Sequence, residues 1–167
     1  MRILSVCGSL QQKSGNLTLL ERAAALAPAG VELLLYDGLR DLPHFNPDLE
    51  QGGAPALVDA LREAVQQSDA LLIAMPEYGH SLPGALKNAI DWLIGSGELE
   101  RKLCAITSSV PIAERGLRGL KALQDTLGAV SARIAFARPI VRGPTFDDEV
   151  TALLAALLAR AAESPEE

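Results

Sequence analysis

The strongest constraint on the fold of this chain is a short apolar run that passes through a turn into an amphipathic helix. Residues 70–75 are uniformly hydrophobic, and Pro76, Gly79 and Pro83 interrupt the segment that follows. From residue 83 to residue 94, apolar side chains recur at helical spacing. A buried strand, an exposed turn and a helix start are the arrangement by which open α/β proteins present ligands at the carboxyl edge of their sheet.

Strands and helices alternate along the whole chain. The pattern predicts strands at residues 2–7, 31–36, 70–75, 103–107 and within 132–141, an irregular connection at 37–53, and helices at 17–27, 55–67, 83–94, 117–127 and from about 147. Five strands each followed by a helix predict an α/β fold with a doubly wound parallel sheet, and Pro139 favours an edge position for the fifth strand. The flavodoxin-like strand order 2-1-3-4-5 places a ligand between the ends of strands one and three.

Composition and charge narrow the classes of function. Of the 167 residues 49% are hydrophobic, and the net charge of −6 argues against nucleic acid or an anionic membrane as the main partner. The length predicts a single domain, residues 1–167. Because no apolar run approaches the ~18 residues of a spanning helix and the chain enters a strand at once, we expect this domain in the cytoplasm. Two cysteines and two distant histidines argue against a metal site or a disulfide scaffold.

The turn after the first strand, residues 8–16, carries the side chains of an anion site. Gly8 permits a sharp turn, Ser9 and Ser14 offer hydroxyl donors, and Asn16 caps the next helix or donates its amide. The helix that follows directs unpaired N–H groups and a partial positive charge into the loop, which suits a terminal phosphate. The same residues fit equally well a simple helix cap with no ligand.

The turn after the third strand is suited to a planar ring. Pro76 and Pro83 stiffen it, and Tyr78 supplies an aromatic wall. Glu77 is expected to orient either the turn or a ligand, and Ser81 to cap the helix that Pro83 helps to start.

Two motifs carry a resemblance to a known family. The first consists of Gly8-Ser9-Leu10 with Ser14 and Asn16, and the second of Pro76-Glu77-Tyr78 with Ser81, Pro83-Gly84 and the run Leu86-Lys87-Asn88-Ala89-Ile90-Asp91-Trp92. With them the chain resembles the NADPH-dependent FMN reductase family, which includes flavodoxin-like quinone, chromate and azo-dye reductases. The resemblance spans the chain from the first strand to the fifth. It implies an FMN-dependent enzyme that transfers hydride from NADPH or NADH to the flavin and then to quinones or other small acceptors.

The resemblance also implies where the cofactor would lie. It places the FMN phosphate on Ser9, Ser14 and Asn16, the ring against Pro76, Glu77, Tyr78 and Gly79, and a third loop from Ser108 to Gly116 around the pocket. Arg118 is the best match for the family's third-loop arginine. Family members form homodimers or homotetramers, and here the helix containing Asn88, Asp91 and Trp92 is expected to form the interface. For Trp92, ordinary packing at the edge of a core helix is the alternative.

No catalytic side chain is required, because the flavin itself carries the chemistry. His80 is the one residue near the expected site able to relay protons near neutral pH. The alternative for His80 is a turn histidine that faces solvent or a neighbouring subunit. Arg115, Arg118 and Lys121 are spaced three apart, and they either meet phosphates of NADPH or form a solvated face with Glu114 and Asp125.

This chain departs from the family pattern in each of the three loops. Gln11 replaces an arginine, and Lys13 is the expected substitute, although an ammonium matches phosphate less well than a guanidinium does. Gly79 replaces an asparagine, and Pro111, Ile112 and Glu114 occupy a loop that is normally rich in glycine. Weaker binding leaves two alternatives open: a flavin reductase that uses FMN as a diffusing substrate, and a flavodoxin-like electron carrier or flavin-binding module without nicotinamide activity.

Overall fold

The computed structural model describes residues 1–163, in which strands and helices alternate. The strands are β1 (Arg2–Cys7), β2 (Glu32–Tyr36), β3 (Ala70–Ala74), β4 (Leu103–Thr107), β5 (Ser109–Val110), β6 (Arg133–Ala137) and β7 (Ile140–Val141). The helices are α1 (Gly15–Leu26), α2 (Pro47–Gln51), α3 (Ala56–Gln66), α4 (Gly84–Ile94), α5 (Leu117–Ala129) and α6 (Phe146–Ala162), with a 3-10 turn at Gly38–Arg40. Within these residues, no helix combines the length and the apolar character needed to cross a membrane.

The main sheet has the order β2-β1-β3-β4-β6, and all neighbouring strands are parallel. This is the predicted flavodoxin-like arrangement, with β6 as the fifth strand at the edge. The predicted strand at residues 132–141 is divided, because β7 pairs with β5 in a separate two-stranded ladder. Pro139 lies between β6 and β7, and a proline has no N–H to donate to a ladder.

Helices cover both faces of the sheet, and alternate residues of the buried strand β3 point to opposite faces. Leu71 and Ile73 pack in the core beneath α3, α4 and α5, whereas Leu72 packs in the core beneath α1 and α6. Because both faces of β3 are buried, its sequence is continuously apolar instead of alternating.

The connection at residues 37–53 is more ordered than the predicted irregular loop, and α4 holds it in place. The indole Nε1 of Trp92 donates to Pro43 O at 2.8 Å, and the Asn88 amide donates to the same oxygen at 2.9 Å. Phe45 N donates to Asn88 Oδ1 at 2.8 Å, and the Phe45 ring meets Trp92 edge to face.

These contacts bear on the predicted role of two α4 residues. Trp92 is fully buried and therefore packs in the core instead of facing a second subunit. Asn88 is partly exposed and uses its amide in hydrogen bonds within the chain, and the expected interface on this helix stays a prediction. Asp91 is partly exposed and pairs with Lys87 one turn away on the same helix.

Candidate active site

Three loops meet at the carboxyl edge of the sheet, after β1, β3 and β4. The strands are adjacent and parallel, so their carboxyl ends lie side by side. Backbone hydrogen bonds continue into the loops, from Gly8 N to Ala74 O at 2.8 Å and from Met75 N to Thr107 O at 3.0 Å. The fold thus brings together the three segments that the sequence pointed to separately.

The loop after β1 is organised around the start of α1. Ser14 is the N-cap residue, and its Oγ accepts a hydrogen bond from Asn16 N at 3.2 Å. Ser9 Oγ accepts from Gln11 N at 3.2 Å and closes the first part of the loop. The side chains of Ser9, Ser14 and Asn16 are all buried. The capping interpretation is therefore confirmed for Ser14.

Asn16 makes a long-range hydrogen bond that its local sequence does not indicate. Its Oδ1 accepts a hydrogen bond from Ser109 N at 2.8 Å, in a buried contact between residues 93 positions apart. This bond joins the loop after β1 to the loop after β4. The acceptor end of the Asn16 amide is thereby fixed, and its NH₂ group remains as a donor.

Ser109 belongs to the predicted third loop, although the sequence did not single it out as a cofactor residue. Its side chain is 8% exposed, and its Oγ has no hydrogen-bond partner among residues 1–163. The residue before it, Ser108, is a predicted cofactor residue and is also buried. A buried hydroxyl without a partner is uncommon and calls for a ligand or water. The sequence around Ser108 and Ser109 does not show which of the two serines contacts the loop after β1. That contact is the hydrogen bond from Ser109 N to the distant Asn16.

Cys7 lies where β1 enters this loop. Burial raises the pKa of its thiol, while hydrogen bonds with the Ser9 backbone and the Ser14 side chain oppose that rise. Cys7 is therefore neutral at pH 7 and adds no negative charge to the loop. Burial also raises the pKa of Cys104, to about 12, so that thiol is protonated as well.

The loop after β3 contains a tight hairpin. Tyr78 N donates to Ser81 O and Ser81 N donates to Tyr78 O, both at 3.0 Å. The two central residues have positive φ, 56° at Gly79 and 61° at His80, as in a type I′ turn. Glycine at position 79 is thus explained by the backbone. The prediction that Ser81 caps α4 is wrong, because Pro83 is the N-cap residue of this helix.

The hairpin is exposed at its tip and attached at its base. Tyr78 is 57% exposed, whereas Pro76 and Glu77 are half-buried. Glu77 Oε2 accepts a hydrogen bond from Gly119 N at 2.8 Å, in the first turn of α5. Of the two roles expected for Glu77, the structure shows the first: it orients the turn.

The predicted basic residues have separate surroundings. Arg118 Nη1 lies 3.0 Å from His80 Nδ1, and both side chains are exposed beside the hairpin. Lys121 pairs with Asp125 on the outer face of α5, as expected for a solvated face. Lys13 is exposed, and among residues 1–163 it makes no ion pair.

Comparison with known protein families identifies the family of this chain. Residues 1–141 match the sequence model of the family described as NADPH-dependent FMN reductase. The chain belongs to this family. The resemblance noted from the two motifs is therefore confirmed.

Relatives of this family member include two bacterial quinone reductases. That of Escherichia coli (strain K12) is 39% identical over 94 residues, which cover 56% of this chain and 50% of that protein. That of Pseudomonas putida is 34% identical over 125 residues, covering 73% of this chain and 67% of that protein. The chain thus spans about half the length of the E. coli relative.

A solved structure resembles this family member over nearly its whole length. It is FerB, a flavoenzyme NAD(P)H:(acceptor) oxidoreductase from Paracoccus denitrificans, with a TM-score of 0.80 and 25% sequence identity. The match covers 95% of this chain and 97% of that chain. The parallel sheet described above is therefore the flavodoxin-like fold of a known flavoenzyme.

The family's description names FMN, and the residues at the carboxyl edge fit its phosphate end. The helix start, the free NH₂ of Asn16 and the unpartnered Ser109 Oγ are hydrogen-bond donors gathered at one place. The exposed hairpin at Tyr78 and Gly79 leaves open surface beside them for a flat ring.

Two cavities bear on where a ligand would lie. The larger, about 580 Å³, is at the opposite edge of the sheet and is lined by Met1, Asp69 and Lys102 among others. A cleft of about 140 Å³ lies between the loop after β1 and the end of β2, with Ser9 and Gln11 on one side and Tyr36 and Arg40 on the other. We place the site at the carboxyl edge in spite of its smaller cleft, because ligands of open α/β sheets bind there.

Proposed function

We propose that this protein is an NAD(P)H oxidoreductase that holds FMN at the carboxyl ends of β1, β3 and β4 and reduces quinones or other small acceptors. The observation that carries the proposal is the buried polar cluster of Ser14, Asn16 and Ser109 at the start of α1. It lies beside an exposed hairpin, in a chain of the FMN reductase family. The bound FMN would supply the hydride chemistry that connects NADPH or NADH with the acceptor.

The chain's own residues bind and orient the cofactor. Ser9, Ser14, Asn16 and the first N–H groups of α1 hold the phosphate. Oxygen atoms of this group suit an array of neutral donors at the positive end of a helix. The Asn16–Ser109 bond fixes the distance between the first and third loops before any ligand arrives.

The ring would lie against the turn formed by Pro76, Glu77, Tyr78 and Gly79, with Ser108 on the neighbouring loop. The Glu77 carboxylate keeps the base of this turn fixed against α5. The exposed tip at Tyr78 leaves room for a nicotinamide or a quinone to approach. An open site of this kind has room for electron acceptors of different shapes.

Arg118 is proposed to bind a phosphate group of the nicotinamide dinucleotide. Its exposed guanidinium lies next to the hairpin, where His80 keeps it in place. His80 is then a positioning residue for Arg118, and its alternative role is the relay of protons from solvent. Lys13, exposed in the loop after β1, is proposed to add positive charge near the FMN phosphate.

A second candidate function is flavin reduction with FMN as a diffusing substrate. Gln11 favours it, because an exposed neutral side chain stands where the family has an arginine. A missing charge-assisted bond to phosphate costs about 1.5–3 kcal/mol of affinity, which promotes release. Retention of flavin through purification separates the two functions.

We further propose that residues 1–167 act as a single FMN-binding domain in the cytoplasm.

The protein is also proposed to assemble as a homodimer or homotetramer. Exposed apolar side chains on and beside α4, among them Ile94, Leu49 and Phe45, support self-association. Light scattering on a sizing column would measure the assembly. A monomer at all concentrations would refute this part of the proposal.

The first experiment is a visible spectrum of the purified protein, followed by anaerobic addition of NADPH. Flavin absorption bands that bleach on addition are the expected result for an oxidoreductase with bound FMN. Bleaching only after FMN is added indicates the diffusing-substrate function. Flavin bands that NADPH leaves unchanged indicate an electron carrier. A colourless protein that does not oxidise NADPH with added FMN contradicts both enzymatic functions.

A further inference from the structure

Arg142, which no motif pointed to, reaches the start of α1 from the far end of the chain. A Cβ atom placed on Gly15, the first residue of α1, would lie 2.8 Å from Arg142 Nη1. The same atom would lie 3.2 Å from Ser109 Oγ. A guanidinium and an unpartnered hydroxyl therefore approach the helix start from the same side, and glycine at position 15 makes room for them.

The backbone of Arg142 is hydrogen-bonded, whereas its guanidinium has no counterion among the residues that the structure describes. Its N–H donates to Val110 O at 2.9 Å, in the extension of the β5–β7 ladder. Its side chain is exposed, and within residues 1–163 the guanidinium makes no hydrogen bond and no ion pair. Other arginines of the described chain do pair with a carboxylate, for example Arg22 with Asp147 and Arg138 with Glu149.

A positive charge at the start of a helix is unfavourable unless an anion is also present. The helix dipole places about half a positive charge at this end, and a guanidinium beside it is repelled. An anion bound between them would be attracted by both. The unpartnered Ser109 Oγ, more than nine-tenths buried, is an independent sign that a ligand atom belongs there.

We propose that Arg142 binds the dianionic phosphate monoester of the flavin cofactor, together with Ser109 Oγ and the first N–H groups of α1. The proposal rests on the proposed function and adds to it a phosphate-binding cation on the β7 side of the loop. Arg142 thereby supplies the charge that Gln11 does not, and a guanidinium suits phosphate geometry better than the ammonium of Lys13.

The test compares FMN with riboflavin, which has the same ring but no phosphate. Flavin-free protein is titrated with each ligand while flavin fluorescence is recorded, for wild type, R142Q and R142K. The control is R160Q, which changes the net charge equally at an exposed arginine in the last turn of α6. Circular dichroism confirms that each variant is folded.

We expect R142Q to weaken FMN binding roughly 10- to 100-fold and to leave riboflavin binding unchanged. R142K should be intermediate, and R160Q should match wild type. Equal FMN affinities of R142Q and wild type would overturn the proposal, as would an equal loss for both flavins.

Two further measurements distinguish the possible sources of the phosphate and the possible failures. If R142Q raises the KM for NADPH but not the Kd for FMN, the arginine serves the dinucleotide and the proposal is wrong. If wild type binds neither flavin and does not oxidise NADPH, the proposed function fails. Inorganic phosphate then tests Arg142 alone: a rise in melting temperature in wild type but not in R142Q supports an anion site there, and no difference refutes it.

A second variant keeps the proposal testable if Arg142 substitutions prove unstable. Gly15→Ala would place a methyl group 2.8 Å from the present position of Nη1 and so displace a flexible side chain. Alanine in a helix is about 1 kcal/mol more favourable than glycine, so this variant should fold. Weaker FMN binding with unchanged riboflavin binding is expected, and unchanged binding of both counts against the proposal.

Discussion

The loops after β1 and β3 lie side by side, yet their polar groups are used in opposite ways. In the first loop Ser9, Ser14 and Asn16 are buried and hydrogen-bonded to the protein framework. In the second, the tip at Tyr78 and His80 is exposed and closed by two backbone hydrogen bonds. Rigid preorganisation reduces the entropic cost of binding a constant group such as a phosphate. An open turn suits partners that vary, such as different acceptors.

The largest effect predicted by this comparison comes from Asn16→Asp. Aspartate keeps the oxygen that accepts from Ser109 N, and it is favourable near a helix start, so stability should be preserved. It also replaces the free NH₂ with a negative charge beside the phosphate. Repulsion of about 4 kcal/mol between charges 4 Å apart at a protein surface predicts at least a hundredfold loss of FMN affinity.

Riboflavin is the matched control for Asn16→Asp, because it lacks the charge that the aspartate repels. Its affinity and the urea midpoint should both be close to those of wild type. Full FMN affinity in this variant would show that the phosphate lies elsewhere. The rigid loop after β1 and the open loop after β3 would then not correspond to the phosphate and the ring of the flavin.

Gly8→Ala should have the next largest effect, by disturbing the contact between the two loops. A Cβ on Gly8 would lie 2.6 Å from Met75 Cβ, a separation that neighbouring strand ends cannot accommodate without moving apart. Overpacking of this kind costs about 1–3 kcal/mol of unfolding free energy, which urea denaturation measures. Gly128→Ala is the control, since nothing lies within 4 Å of its added methyl group. Equal stability of both variants would contradict the tight approach at Gly8.

Several features of the fold were within reach of the sequence, because their signals are local. The continuous apolar run of β3 indicates burial on both faces, and the Ser14 cap follows from residue type and position. The helix α2 was missed although Asn46 caps it and Pro47 occupies its first position, a pair that favours a helix start.

Other features depend on contacts between distant parts of the chain, and no local pattern contains them. Asn16 and Ser109 are 93 positions apart, and Trp92 donates to a carbonyl 49 positions away. The resemblance to the family implies a subunit interface on the helix that carries this tryptophan. In the structure, the connection at residues 37–53 covers Trp92. Packing of this kind follows from topology, and for that reason the sequence indicated which residues lie on the three loops but not which partners they contact.

Glu77→Ala should have a moderate effect, because Glu77 connects the exposed hairpin to α5. Its loss leaves Gly119 N, a donor in the first turn of the helix, without the acceptor it has at 2.8 Å. Loss of such a capping acceptor costs about 1–2 kcal/mol of unfolding free energy. Glu77→Gln retains an acceptor oxygen and should lose less, which urea denaturation of the pair would establish. Similar losses in both variants would mean that the negative charge matters more than the hydrogen bond.

The smallest effect is expected from His80→Asn, which sharpens the contrast with Asn16. Asparagine tolerates the positive φ of 61° better than most residues, and exposed positions of this kind change stability by about 0.5 kcal/mol or less. Because the flavin requires no side-chain acid, we expect kcat for quinone reduction to keep its dependence on pH between 5 and 8. The KM for NADPH should rise, since Arg118 loses the ring against which it lies.

The control variant is His44→Asn, which makes the same substitution at the second histidine of the chain. A limb of the pH profile that disappears only in His80→Asn would identify His80 as a proton relay, and the exposed turn would then take part in the chemistry as well as in binding.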